Sequence, residues 1–300
     1  RVTEPSHTIS YKLLAKSYKL TTMAIRIYKP TSPGRRKASV STFEELSGAR
    51  PFKPLLRPHP SQAGRNSQGK ITVRHRGGGV KRYYRVVDFL RDKFDVPAKV
   101  KTIEYDPNRN ARIALVSYAD GVPSYIIAPI GLAVGDTVMT SRTRIDIRPG
   151  NRMPLWAMPL GTLVYDVELT PLGGSRVARS AGTLVKLLAV DGPHAHLKLP
   201  STEVRMVPKG CLATVGQVSN PDAMHVRLGK AGRMRRLGVR PRVRGKAMNP
   251  VDHPHGGGEG NQPIGLKYPK TPWGKHALGV KTRRKHRWSN TLILSRRRKD

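Results

Sequence analysis

The chain has 300 residues, and 56 Lys and Arg against 19 Asp and Glu leave a formal charge of +37 at pH 7. One uncompensated cation for roughly every eight residues would repel itself in an isolated compact body, so a polyanionic partner is implied. A hydrophobic content of 37% argues against wholesale disorder, the single Cys211 excludes an internal disulfide framework and every multi-cysteine zinc site, and no apolar run approaches the ~18 residues of a membrane span.

Charge is unevenly distributed. Residues 1–97 carry 21 basic and 6 acidic side chains, residues 98–220 carry 14 and 9, and residues 221–300 carry 21 and 4. The middle therefore reads as a globular body and the two ends as nucleic-acid-binding extensions. Residues 1–22 form a basic, acid-poor leader in which Ile9, Leu13, Leu14 and Leu20 have roughly helical spacing, and Met23-Ala24-Ile25 looks like an ordinary start further in. Such a segment reads as organellar targeting material or its remnant, with a lineage-specific extension as the alternative. Next, Thr31-Ser32-Pro33-Gly34-Arg35-Arg36-Lys37 and Arg57-Pro58-His59-Pro60 are basic and turn-forming.

From there the chain reads as strands. Ile71–Arg76, Arg82–Phe89, Ala98–Tyr105 and Arg112–Tyr118 are rich in β-branched and aromatic residues. Asp120-Gly121, before Ser124–Ala128, marks a hairpin, because glycine tolerates the positive φ of a tight turn. The pattern recurs with Gly182–Val190, Asp191-Gly192 and His194–Leu199, followed by Glu203–Val207. Two such clusters, separated by the turn Arg148-Pro149-Gly150-Asn151, imply two small antiparallel barrels. Helix is scarce: Asn220-Pro221 and Gly229 bracket one short helix near Asp222–Leu228.

Three stretches carry candidate chemistry. In Arg74-His75-Arg76-Gly77-Gly78-Gly79-Val80-Lys81-Arg82, the glycines let backbone approach a phosphate and the cations surround that turn. The nucleotide-binding P-loop spacing is absent. Beyond Gly229, Arg233, Arg235, Arg236, Arg240, Arg242 and Arg244 alternate with glycine and proline, a composition too polar to build its own core. Asn249-Pro250-Val251-Asp252-His253-Pro254-His255-Gly256-Gly257-Gly258-Glu259-Gly260 invites a metal or catalytic reading through His253, His255 and Glu259. Pro254 and the glycines deny it zincin geometry, and its cationic flanks repel a divalent ion. A rigid loop whose imidazoles donate hydrogen bonds to RNA is the better reading. His194 and His196 share one strand face, opposite Ala195, Leu197 and Leu199, and Cys211 reads as a small buried filler.

Taken together, Lys29-Pro30-Thr31-Ser32-Pro33-Gly34-Arg35-Arg36, His75-Arg76-Gly77-Gly78-Gly79, Glu104-Tyr105-Asp106-Pro107-Asn108-Arg109, Leu228-Gly229-Lys230-Ala231-Gly232, Gly238–Gly245 and Ala247–Gly260 closely resemble the bacterial-type second protein of the large ribosomal subunit. The resemblance runs from about Met23 to the C-terminus. It implies a mainly β fold: an OB-fold barrel over 64–147 and an SH3-like barrel over 148–222. Long basic irregular extensions would flank them at 23–63 and 223–300. It implies RNA contacts by Arg35, Arg36, Arg74, His75, Arg76, Gly77, Gly78, Gly79, Lys81 and Arg82. In the C-terminal extension it implies the same for Arg233, Arg235, Arg236, Arg240, Arg242, Arg244, Asn249, His253, His255, Lys281, Arg283, Arg284 and Lys285. The implied partners are large-subunit ribosomal RNA near the peptidyl transferase region, neighbouring ribosomal proteins, and the small subunit through intersubunit contacts. No membrane, cofactor, metal or catalytic residue is expected. The implied place is a ribosome, in the matrix of an organelle, the mitochondrion first, or else in bacterial cytoplasm.

Overall fold

The computed structural model describes residues 25–297, so the leader expected at residues 1–22 lies outside the described residues. Contacts divide the chain into two units. One holds the segment ending at His59, Arg82–Lys230 and the stretch from Thr291, and the other holds Pro60–Lys81 with Ala231–Asn290.

The first unit contains the strands. Ribbons form between β1 (Ile25–Ile27) and β2 (Ser39–Ser41), and between β3 (Leu56–His59) and β4 (Arg82–Arg85). The strands β5 (Ala98–Glu104), β6 (Ile113–Tyr118), β7 (Pro123–Ile127) and β8 (Thr137–Val138) make an antiparallel sheet in the order β7-β6-β5-β8. After them come β9 (Arg152–Pro154), β10 (Leu163–Tyr165), β11 (Val167–Glu168), β12 (Ser175–Val177), β13 (Val185–Asp191), β14 (His194–Lys198), β15 (Val204–Pro208) and β16 (Leu212–Val215). A last strand, β17 (Ile293–Ser295), completes a seven-stranded sheet in the order β17-β15-β14-β13-β10-β16-β9, while β11 and β12 form a separate ribbon. The protein is mainly β with very little helix, and its sheets curl in a barrel-like manner.

The period-two pattern explains both cores. On β14, Ala195 and Leu197 are buried while His194 and His196 lie on the other, partly exposed face, as the alternation predicts. Ala195 and Leu197 join Val164, Val185, Leu187, Val207 and Ala213 in one apolar cluster. Val100, Ala114, Val116, Ile126 and Val138 form the equivalent cluster of the four-stranded sheet. Each fully buried Val or Leu contributes about 1.5–3 kcal/mol relative to exposure. Register breaks at Val100/Thr102 and Leu187/Ala189 are bulges, which bend strands and let a sheet curl. Both Asp-Gly hairpins are present, with Gly121 at φ 82° and Gly192 at φ 50°.

A buried polar network ties β9 to its neighbours. The guanidinium of Arg152 donates to the Asp166 carbonyl at 2.8 Å and to Glu168 Oε1 at 3.0 Å, and it pairs with the Asp166 carboxylate at 3.4 Å. Glu168 Oε2 accepts the backbone N–H groups of Leu172 and Leu212. Ser175 Oγ donates to Asp166. Nearby, Arg91 donates to the Gly150 carbonyl at 2.9 Å, which fixes the linker between the two sheets. Tyr165 reaches the same junction by donating to the Ile127 carbonyl at 3.1 Å.

The structure corrects several expectations. Ile71–Arg76 is not a strand. Ile71 makes only an isolated bridge with Arg65, and the Thr72 and Val73 amides donate to the Gly64 carbonyl in a looped turn. Of Arg82–Phe89, the ladder with β3 covers Arg82–Arg85, and beyond it Val87 makes only an isolated parallel bridge with Tyr125. Asp88 then caps a turn by accepting the N–H groups of Leu90 and Arg91. The helix near Asp222–Leu228 is a 3-10 turn over Pro221–His225, and Asn220 is in the left-handed region without capping it. The side chain of Asn220 instead donates to the Asn110 carbonyl. In the irregular extension expected beyond Gly229, Ala231–Arg236 forms a short α-helix, α1.

Candidate nucleic-acid interface

Two sequence-distant segments build the second unit. Residues 60–81 and 231–290 together carry 20 Lys and Arg and only 2 Asp and Glu, Asp252 and Glu259. Two carboxylates cannot neutralise such a set, so the cations must be satisfied by solvent, counterions or a polyanion.

Backbone pairing holds the glycine turn to the arginine segment. Gly77 N–H donates to the Gly238 carbonyl at 2.8 Å, Val80 N–H to the Arg236 carbonyl at 3.0 Å, and Arg240 N–H to the His75 carbonyl at 3.0 Å. The contact requires glycine at Gly79, because a Cβ there would lie 3.0 Å from the Cα and N of Gly238. Arg235 packs against the turn, its Nη2 3.2 Å from where a Cβ on Gly78 would stand. The glycines thus bring two backbones together. Arg240, Arg242 and Arg244 are all exposed.

The histidine loop is fastened by its own backbone. The Asp252 and His253 amides donate to the Asn249 carbonyl, Gly256 N–H donates to His253 O, and Gly257 N–H donates to Met248 O. Gly256 has no room for a side chain, since a Cβ would stand 2.2 Å from the Asn249 oxygen. Gln262 Nε2 clamps the far side by donating to the Gly257 carbonyl. His253 is buried against Gly245, where an added Cβ would meet the imidazole at 2.5 Å.

Both imidazoles have a committed lone pair. The Nδ1 of His253 accepts the His255 N–H at 3.0 Å, and the Nε2 of His255 accepts the Lys270 N–H at 2.8 Å. Each accepting nitrogen is therefore unprotonated, and the remaining N–H of each ring is a donor: Nε2 of His253 and Nδ1 of His255. A nitrogen already accepting an amide proton is not free to ligate a metal. Among the described residues, no group of three or more His, Cys, Asp and Glu has metal-holding geometry.

Partial burial, then the neighbouring His253 and Lys270, hold the His255 imidazole below the ordinary histidine value. Its folded value lies below the unfolded one, so the contribution of this contact is complete above about pH 6.5 and declines as pH falls from there toward the folded value. Hydrogen exchange of the Lys270 amide tests this. Its protection factor should be higher at pH 7.5 than at pH 5.5, and an unchanged factor would refute the assigned acceptor role.

The remaining site residues distribute as follows. Arg74 stacks over the Trp273 ring at 5.1 Å. Arg283 donates to Asn290 Oδ1 at 2.7 Å and to Ser289 Oγ at 3.0 Å, and Asn290 Nδ2 returns to the Lys285 carbonyl. These bonds close a basic loop in which Lys281, Arg284 and Lys285 are exposed. Arg76 pairs with Val239 through a backbone bridge, and Lys81 and Arg233 lie in the same unit. Arg35, Arg36 and Arg82 belong to the other unit. The first two sit on the turn capped by the Ser32 carbonyl, where Arg35 lies 5.6 Å from the Tyr28 ring. Arg82 is engaged internally, donating to the Pro107 carbonyl at 2.7 Å. Sequence reasoning missed Trp273. Its signal was the Pro272-Trp273-Gly274 tripeptide, an aromatic residue between two turn formers in a cationic stretch.

Among the described residues, no helix is long and apolar enough to cross a membrane. Residues 52–140 match the family model described as Ribosomal Proteins L2, RNA binding N-terminal domain. Residues 148–274 match the one described as Ribosomal Proteins L2, C-terminal domain. The two matches together span well over half of the chain.

Proposed function

Because this chain belongs to the ribosomal protein L2 family, and is accordingly a large-subunit ribosomal protein that binds RNA, we propose that it is a non-enzymatic scaffold contacting ribosomal RNA near the peptidyl transferase region. In this reading it supports assembly of that region and subunit association. The observation that carries it is the unit built from residues 60–81 and 231–290, whose glycine-mediated backbone pairing displays twenty cations with two carboxylates among them. Phosphate contacts fix the register of a protein on RNA, and glycine lets the backbone share in them. The proposed contacts are those of Arg74, Arg76, Lys81, Arg233, Arg235, Arg236, Arg240, Arg242 and Arg244, with His253 and His255 as ring N–H donors and Arg35 and Arg36 on the other unit.

The basic, acid-poor composition of residues 1–22 supports a mitochondrial matrix for the ribosome concerned. Sucrose-gradient sedimentation of the tagged full chain in cell extract tests the reading. The protein should travel with the large subunit and the assembled ribosome at 0.1 M salt. Recovery mainly at the top of the gradient would instead identify a free RNA chaperone.

A further inference from the structure

Resting on that RNA-binding reading and deepening it, we infer that Trp273 and Arg74 form a stacking site for one unpaired nucleobase. Trp273 is 73% exposed, a large apolar surface with no apolar cover. It is nonetheless placed firmly. Thr271 N–H donates to the Lys275 carbonyl at 2.7 Å, Gly274 N–H donates to the Thr271 carbonyl at 2.9 Å, and Lys275 N–H donates to Thr271 Oγ1 at 3.2 Å. Pro272 fixes φ on one side of the indole, and Gly274, at φ 75°, supplies the left-handed turn on the other. The hairpin base is held by the hydrogen bond that the Lys270 N–H donates to His255 Nε2 and by the edge contact of Tyr268 with His276, whose centroids are 4.1 Å apart.

The site has the two components of single-strand recognition. An indole offers a π-face that any base can stack on, and cations beside it track the phosphates on either side. Arg74 lies 5.1 Å from the ring centroid, while Lys270 and Lys275 flank the tryptophan on its own hairpin. A planar guanidinium over the indole stiffens the platform and leaves the rest of the ring surface to be covered. A nucleobase matches this surface better than an apolar protein side chain does, because the surroundings are cationic and a base arrives with its own anionic backbone.

The test uses the full chain with Trp156 and Trp288 replaced by phenylalanine, so that emission reports Trp273 alone. Two probes are titrated at low salt: a short single-stranded oligoadenylate, and an abasic oligomer with the same number of phosphates. Oligoadenylate should quench the emission strongly and the abasic oligomer weakly, although both bind by anisotropy of a labelled probe. Trp273→Ala should weaken oligoadenylate binding about five- to 150-fold and leave abasic binding nearly unchanged, with Trp273→Phe restoring most of the loss. Equal losses for the two probes, or equal quenching, would overturn the stacking site while leaving RNA binding intact. Failure of both probes and of ribosomal RNA to bind would remove the broader reading as well.

Discussion

Replacing Arg152 by alanine should lower the unfolding free energy of the full chain by about 3–5 kcal/mol, the largest effect expected of any single substitution here. The guanidinium is fully buried and serves two carboxylates that are themselves buried, Asp166 and Glu168. Its removal leaves uncompensated negative charge in a low-dielectric interior, together with the Asp166 carbonyl it had satisfied. Lysine should recover little, because one ammonium cannot reproduce a fork that meets both Asp166 and Glu168. Burial already raises the Asp166 carboxyl above its ordinary value, against the pull of Arg152 and the Ser175 hydroxyl. Without Arg152 it rises further, so the penalty should shrink as pH is lowered and the acid takes up a proton. Urea melts at pH 7.5 and pH 5 measure both statements. A loss below about 1 kcal/mol would show that the network behaves like an exposed ion pair. Arg152 Nε finds no hydrogen-bond partner, so the network is incompletely satisfied. Removal of all three charged groups by isosteric apolar residues should therefore cost less than removal of Arg152 alone.

The second large effect concerns RNA. Arg240, Arg242 and Arg244 replaced together by glutamine should flatten the log–log salt dependence of ribosomal RNA binding by about 2–3 units, from counterion release of about 0.7–0.9 per phosphate contact. Over a fourfold rise in salt the parent should lose roughly 20- to 40-fold more affinity than the variant, by the same relation. All three side chains are exposed and lie in the unit that holds twenty cations, so the substitution removes charge without opening a core. Filter binding across 50–200 mM salt reads the slope directly. An unchanged slope would exclude these arginines from phosphate contact, whatever happened to the affinity at one salt concentration.

Much of the fold was legible because it is local. Alternation in His194–Leu199 and the Asp-Gly pairs at Asp120 and Asp191 dictate face and turn with no knowledge of the remaining chain. The misread segments failed for a non-local reason. Ile71 and Val73 have strand-forming side chains but find only the single bridge from Ile71 to Arg65, whereas Gly64, several residues earlier, offers its carbonyl. The cationic stretches were equally visible, yet their partnership was not. Nothing in the sequence says that His75 and Arg240 share a backbone hydrogen bond, because glycine-to-glycine contact has no hydrophobic signature. The histidines were recognisable as donors, but which nitrogen remains to donate depends on amides at His255 and Lys270 that only the folded loop positions. Trp273 was passed over because a lone exposed aromatic residue carries no periodicity.

The pairing of β17 with β15, with the Met206 amide donating to the Leu292 carbonyl, has a topological consequence. Residues 231–290 are therefore an internal excursion of the chain between Lys230 and Thr291, followed by a paired strand, and not a free tail.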